Sequence, residues 1–366
     1  MTAPLPQIEP ATGVEPGTLT IGVLMGGPSR ERQISLDSGR AVAEALQRLG
    51  HDVRPADVRP GDVTAQLVRD IDVAFLALHG TWGEDGGVQR ELDALGVCYT
   101  GSGPEASRLA MDKVASKERF SDKGIPTPAF RVLTSGDEEM LREAMGRIGP
   151  DLVVKPVADG SSIDVYMVNS LRGLRDAVEK VWGRGEPALV ERHIAGREFT
   201  VGVLGESPLP TLEIRTGSGW YGYEEKYVSD ATKYVFDHGL PADVEDRTVA
   251  AAMAAHRALG CRDLSRVDLI ITPEGEPEVL EVNTIPGFTT HSLVPKAAAQ
   301  AGLSFGRLCE RIVALARERA GRLYARKTAE QGAGGDTRHP RQMKQPLAAG
   351  LVPVRTPGGP ACLGRQ

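Results

Sequence analysis

The sequence predicts an α/β protein. Its first domain is a doubly wound parallel sheet, and the rest is α+β, mixing antiparallel strands with helices. Between residues 18 and 110, short apolar runs alternate with a helical period, and Gly-rich turns follow the runs. Further on, SRVDLIITPEGEPEVLEVN reads as strand, turn, strand, which is an antiparallel hairpin.

In the first stretch, TIGVLM is a short buried strand and GGPSRERQ its loop. The helix that follows carries Val42, Ala45, Leu46 and Leu49 on one face, and Gly50 stops it. HDVRPAD and IDVAFLAL are the next strands, the latter apolar enough for the centre of a parallel sheet. Ligands of such sheets collect at the carboxyl ends of the strands, here MGGPSRERQ and LHGTWGEDGG. The first turn is Gly26-Gly27-Pro28-Ser29, not the G-x-G-x-x-G of a dinucleotide fold, although Asp57 could supply the ribose-binding acid. His79 ends an apolar strand at this ligand edge, which makes it either a loop residue satisfied by backbone or a functional one.

Residues 111–214 read as a charged helix ending in Gly-Ile-Pro, then strands joined by glycine-containing loops. Lys155 closes a Leu-Val-Val strand before Asp159-Gly160-Ser161-Ser162, where backbone N–H groups and a lysine could hold a phosphate. The segment is not G-x-x-x-x-G-K-[ST], so it is no Walker-type loop. In residues 215–324 the hairpin is the informative element. Centring its turn on Glu274-Gly275 puts Asp268 opposite Glu281, and facing carboxylates repel unless a cation sits between them. Asn283 adds a neutral oxygen on the same face, and hard oxygens of this kind suit Mg²⁺ together with substrate phosphates. Arg266 shares the face and is expected to stay available for developing negative charge, while Pro286-Gly287 turns a backbone N–H toward the same centre. The amphipathic helix that ends this part packs Leu308, Ile312 and Leu315 inward.

Both ends read as disordered tails, residues 1–17 and 325–366. The second has twelve Gly or Pro in 42 residues and a net charge of +5, leaving −11 for residues 1–324. The overall charge of −6 gives no basic footprint for nucleic acid. No apolar run approaches a membrane span, and the N-terminus lacks a signal-peptide pattern. Cys98, Cys261, Cys309 and Cys362 share no metal or redox spacing, so a cytoplasmic protein with incidental thiols is expected.

Taken together, ERQISLDSGR, ALHGTWGEDGGVQ, YTGSGPEASRLAMDK, KP…GSS, VERHIAGREFTV, YEEKYVSDATKY, RVDL and EVNTIPGFTTHSLVP resemble the D-alanine–D-alanine ligases of the ATP-grasp superfamily, over residues 19–319. The resemblance implies an N-terminal α/β substrate-binding domain (18–110) followed by a two-lobed ATP-grasp fold with central (111–214) and C-terminal (215–324) lobes. By that likeness Lys113, Lys155 and Lys226 would contact ATP, Glu191 the adenine amino group and Glu198 the ribose. Asp268, Glu281 and Asn283 would bind Mg²⁺ or Mn²⁺. Arg266 and the Gly287 N–H would hold an oxyanion. His79, Ser161 and Tyr227 would surround the first D-alanine, and Ser292 and Leu293 would hold the second one's carboxylate. ATP would phosphorylate one D-alanine and the second would attack the acylphosphate, giving the dipeptide for peptidoglycan, with a homodimer as the assembly.

Two departures stand out. The family's Glu-Arg-Glu, whose second acid is taken to meet the substrate ammonium, is here Glu31-Arg32-Gln33. A different dipeptide or depsipeptide therefore stays open as the product, and so does a nucleotide-binding protein without catalysis. The Gly expected after GSS-Ile is Asp164, a residue that reaches unusual backbone angles less easily and would repel a triphosphate.

Overall fold

The computed structural model describes residues 17–158, 164–216 and 232–332. Ser161, Lys226 and Tyr227 lie outside them. By contacts, one compact unit ends at Ala320 and a second begins at Gly321.

The first sheet is β1 (Thr20–Gly26), β2 (Asp52–Val58) and β3 (Val73–Leu76), parallel and ordered β2-β1-β3. Strand order reverses at β1, so the crevice beyond β1 and β3 is the natural ligand edge. Helix α1 (Arg32–Arg48) buries Val42, Ala45 and Leu46 as its spacing predicts, and Gly50 turns the chain at φ +90°. After α2 (Gly87–Ala94) and α3 (Pro104–Met111), the Asp112 carboxylate accepts from the Val114 and Ala115 N–H groups and caps α4 (Lys113–Asp122).

The second sheet is antiparallel, in the order β4 (Phe130–Leu133), β7 (Ala188–Arg192), β5 (Leu152–Pro156), β6 (Tyr166–Val168). Helices α5 (Glu138–Ile148) and α6 (Leu171–Trp182) cover it through Leu141, Ala144, Leu174 and Val178. The third sheet runs β11 (Lys233–Val235), β10 (Leu212–Arg215), β8 (Arg197–Leu204), β12 (Leu264–Ile271), β13 (Pro277–Asn283), with β9 (Ser207–Pro208) paired to β8. Helix α7 (Ala242–Ala258) packs Ala252 and Ala255 against Val267 and Leu269. Helices α8 (Leu293–Gln300) and α9 (Phe305–Gly332) close the chain, Leu308 and Ile312 of α9 joining the core of the first sheet.

Three expectations shift. Strands β8 and β10 pair into the third sheet, so the division between lobes moves from residue 214 to the stretch between Arg192 and Arg197. Helix α9 continues to Gly332, into the segment read as a tail. Ala325–Gln331 holds good helix formers and no Gly or Pro, which an average over the whole tail conceals. The hairpin turn is centred on Glu274, closed by Thr272 N–H to Glu276 O and Gly275 N–H to Thr272 O, half a residue off the expected centre, which shifts the pairing by one position. A β-bulge absorbs the difference: Leu269 pairs with Val279, Asp268 with Glu281, and Leu280 is the extra residue. Asp268 thus does face Glu281, through a bulge that alternation alone does not reveal.

Cys261 and Cys309 are buried and Cys98 half-buried, all as free thiols. Burial pushes the Cys261 thiol up to about 12, which fits inert packing.

Candidate active site

A cavity of about 360 Å³ opens where the first and third sheets meet. Glu31, Ile34 and Asp37 reach it from the start of α1, and His79 and Glu84 from beyond β3. Lys113 enters from α4, and Arg266, Glu281 and Asn283 from the hairpin. Gly287, Ser292 and Leu293 complete it at the entry to α8. Eight of the residues expected at the site therefore converge on one cavity.

The hairpin end is arranged in rows. Arg266 pairs with Asn283, Asp268 with Glu281, and Ile270 with Glu278, all on one face because strand side chains alternate. Arg266 is not held in reserve as expected. Its guanidinium donates to both Asp268 oxygens, Nε at 2.9 Å and Nη2 at 2.6 Å, and Thr200 Oγ1 donates to Asp268 Oδ1 at 2.7 Å. Lys113 Nζ lies 3.8 Å from Glu281. The cation demanded by the opposed carboxylates is thus supplied twice by the chain itself, once for each acid. Asn283 Oδ1 accepts the Ile285 N–H at 2.9 Å, which shapes the turn into Pro286-Gly287 and leaves the oxygen a second lone pair. Among the described residues no three His, Cys, Asp or Glu side chains gather as a metal site; this set has two carboxylates and a carboxamide.

His79 is buried, with Nε2 3.2 Å from Ser38 Oγ and Nδ1 3.7 Å from Glu84. Ser38 Oγ in turn accepts the Phe288 N–H at 3.2 Å, so the network fixes the backbone beside Gly287. Neither Ser38 nor Glu84 was singled out in the sequence, where a serine in an amphipathic helix and an acid in a glycine-rich loop look ordinary. Ser292 begins α8, and its Oγ accepts the Thr289 N–H at 3.1 Å.

Gln33 is the clearest correction. It is exposed, does not line the cavity, and donates from Nε2 to Asp37 at 3.0 Å. Glu31 lines the cavity instead, so the acid that this loop offers to a ligand is present. Arg32 pairs bidentately with Asp57 at 2.8 and 2.6 Å, closing over Gly26, where an added Cβ would lie 2.2 Å from the Asp57 carboxylate. Asp57 is therefore a loop clamp rather than a ribose ligand.

Across from the hairpin, on the second sheet, Glu191 sits between Lys117 Nζ at 2.8 Å and Lys155 Nζ at 2.7 Å. Burial alone would push the Glu191 carboxyl up, but the two lysines hold it below the usual range. Lys117 has no exposed surface, and its Nζ also donates to Thr127, which donates to Val279 O on β13. The sequence signal for Lys117 was present: Lys113 and Lys117 are one helical turn apart in MDKVASK. Lys155 and Glu191 thus engage each other before any ligand, and neither lines the cavity. Glu198 pairs with Ile270 on the third sheet and is half-buried, also outside the cavity. Asp164 adopts φ +56°, the left-handed conformation that glycine takes freely and Asp tolerates. Its carboxylate pairs with Arg184 and accepts from Tyr166 Oη at 3.0 Å, so its charge is neutralised locally.

An α/β domain abutting two antiparallel sheets, with opposed carboxylates on one sheet and a buried glutamate held by two lysines at the other, defines an ATP-grasp enzyme. Residues 59–102 match the model of the D-ala D-ala ligase N-terminus and residues 120–314 that of the D-ala D-ala ligase C-terminus. The chain belongs to the D-alanine–D-alanine ligase family. It is 47% identical over 305 residues to a D-alanine–D-alanine ligase of Desulforudis audaxviator, covering 82% of this chain and 99% of that one. Among solved structures it is similar to the ATP complex of the Bacillus anthracis D-alanine–D-alanine ligase, with a TM-score of 0.73, 32% identity and coverage of 83% and 99% of the two chains. It is likewise similar to the VanG D-Ala:D-Ser ligase of Enterococcus faecalis, with a TM-score of 0.73, 30% identity and coverage of 82% and 100%.

Proposed function

We propose that this chain joins two D-alanine molecules, with ATP converted to ADP and phosphate, to supply D-alanyl-D-alanine for peptidoglycan. The observation that carries the reading is the convergence of Glu31, His79, Arg266, Gly287 and Ser292 on one cavity in a chain of this family. With Glu31 in the cavity and Gln33 outside it, nothing at this loop favours a different donor substrate.

The first D-alanine places its ammonium against Glu31, and the His79–Ser38–Phe288 network holds the backbone wall behind it. Its carboxylate oxygen takes the γ-phosphoryl group of ATP, forming an acylphosphate. The amine of the second D-alanine attacks the acyl carbon, the tetrahedral oxyanion forms beside Arg266 and the Gly287 N–H, and the C–O bond breaks as phosphate leaves carrying the amine's proton. Ser292, at the head of α8, receives the second carboxylate, aided by the helix N-terminus, and Leu293 packs beside it. Lys155, with Glu191 and Lys117 behind it, and Lys113 near Glu281 set positive charge along the phosphate path. The donor set of Asp268, Glu281 and Asn283 fits Mg²⁺ or Mn²⁺: hard oxygens on one face with a lone pair left on Asn283 Oδ1. When bound there, the ion neutralises charge on the transferring phosphoryl group. A homodimer working in the cytoplasm completes the reading; among the described residues no helix is long and apolar enough to cross a membrane.

Purified protein with Mg²⁺·ATP and D-alanine should release phosphate and yield a product with the mass of the dipeptide. D-serine and D-lactate offered as acceptors measure selectivity. Phosphate release that depends on another pair, with none from D-alanine alone, would overturn the assignment. Light scattering reads the assembly.

A further inference from the structure

The wall of the cavity is charged against one of its guests. Among the described residues it carries four carboxylates, Glu31, Asp37, Glu84 and Glu281, and two cations, Lys113 and Arg266. Lys113 lies beside Glu281 and Arg266 pairs with Asp268, so both are engaged at the hairpin end. A substrate carboxylate arriving at the α8 end therefore meets repulsion, and the neutral hydroxyl of Ser292 supplies no charge against it.

Lys296 brings a cation to that end. It closes the first turn of α8, its N–H donating to Ser292 O at 3.0 Å. Helical side chains lean over the preceding turn, here the turn of Ser292 and Leu293. Its Nζ lies 5.3 Å from the centre of the Tyr234 ring. Tyr234 in turn lines the cavity and packs on the cluster of Leu212, Ile214 and Leu293. Lys296 is half-buried, and among the described residues no carboxylate lies within ion-pair distance of it. A lysine at the start of a helix opposes the helix dipole, so helix stability does not account for it. We infer that Lys296, held on the Tyr234 ring, determines acceptor affinity by drawing the carboxylate of the second D-alanine to Ser292 through its charge. This rests on the ligase reading given above. Attraction across roughly 8 Å beside a protein surface is worth about a three- to fivefold change in KM, and salt screens it.

The competing role for Lys296 is a clip between α8 and β11, which needs its apolar stem rather than its charge. Lys296→Met keeps a stem on the ring and removes the charge, Lys296→Arg keeps both, and the neutral Lys296→Gln serves if the methionine variant does not fold. Initial rates over a wide range of D-alanine, fitted to two sites, give separate KM values for the first and second molecule. In Lys296→Met at about 20 mM salt the second KM should rise about three- to fivefold, with the first KM, the ATP KM and kcat within about twofold. Raising choline chloride to about 300 mM should lift the wild-type second KM toward that of Lys296→Met, and Lys296→Arg should stay with the wild type. A second KM unmoved in Lys296→Met, a gap that persists undiminished at high salt, or a fall in kcat as large as the rise in KM would overturn the proposal. Absence of dipeptide from the wild type would remove the ligase reading and this proposal with it. Dipeptide formation with an unmoved second KM counts against Lys296 alone.

Discussion

Glu31 and Gln33 are two positions apart at the start of α1, and residues so spaced on a helix point to different sides. That rotation puts Glu31 in the cavity and Gln33 in solvent, where it bonds Asp37. Glu31→Gln should therefore raise the KM for the first D-alanine at least tenfold, the loss expected when a charged hydrogen bond to an ammonium goes, with a smaller change in the ATP KM. Gln33→Glu should leave both within about twofold, a surface-substitution effect. Steady-state kinetics with each substrate varied in turn checks both. Asp164 teaches the same lesson: the residue type was a fair warning, but its φ of +56° and its Arg184 partner are set by the fold around it.

At the level of elements, much was legible. The helical spacing of Val42, Ala45 and Leu46, the parallel first sheet and the opposition of Asp268 to Glu281 follow from periodicity and turn chemistry. What escaped depends on non-local partners. Beside the Leu280 bulge Val279 is held from outside the hairpin, its N–H donating to Pro126 O and its carbonyl accepting from Thr127. The membership of β8 in the third sheet depends on β12, more than sixty residues away, as the Thr200–Asp268 bond shows. The spacing of Lys113 and Lys117 puts both on one side of a helix, but the burial of Lys117 is not written in so charged a segment. Yet Lys117 joins Glu191 on the second sheet to Thr127, and through it to Val279 on the third. Lys117→Met should cost about 1–3 kcal/mol, because Glu191 keeps Lys155 but its other oxygen and Thr127 Oγ1 lose a buried donor. Chemical denaturation reads that loss, and a change below about 0.5 kcal/mol would show the link to be idle.

For the whole molecule, acid is the revealing stress. Burial pushes the His256 imidazole down from 6.5 to about 4, where Nδ1 meets Ser265 Oγ at 2.7 Å. The unfolded chain takes this proton first. The contribution is complete above pH 6.5 and is lost as pH falls toward 4, up to about 3 kcal/mol. Glu213 follows at lower pH. Burial would raise its carboxyl, but hydrogen bonds from Arg197 and Arg215 prevail and hold it down at about 2. Its contribution is present above 4.5 and lost as pH falls toward 2. Urea midpoints should therefore decline from pH 6.5 downward in two stages. His256→Gln should flatten the upper stage and leave the lower one, and an unflattened curve would place the loss elsewhere.

The first sheet is finished from the other end of the chain. Arg319 of α9 pairs with Asp263 and donates to Tyr99 O at 2.6 Å, while Asp263 accepts the Gly101 N–H at 3.0 Å and Arg262 donates to Gly101 O at 3.0 Å. Tyr99 and Arg319 are 220 residues apart. A ribosome adding about 5–20 residues per second takes roughly ten to forty seconds to cross that interval. For that time the nascent Tyr99–Ser102 segment has emerged without its clamp, so this side of the first sheet can be secured only after α9 has been made.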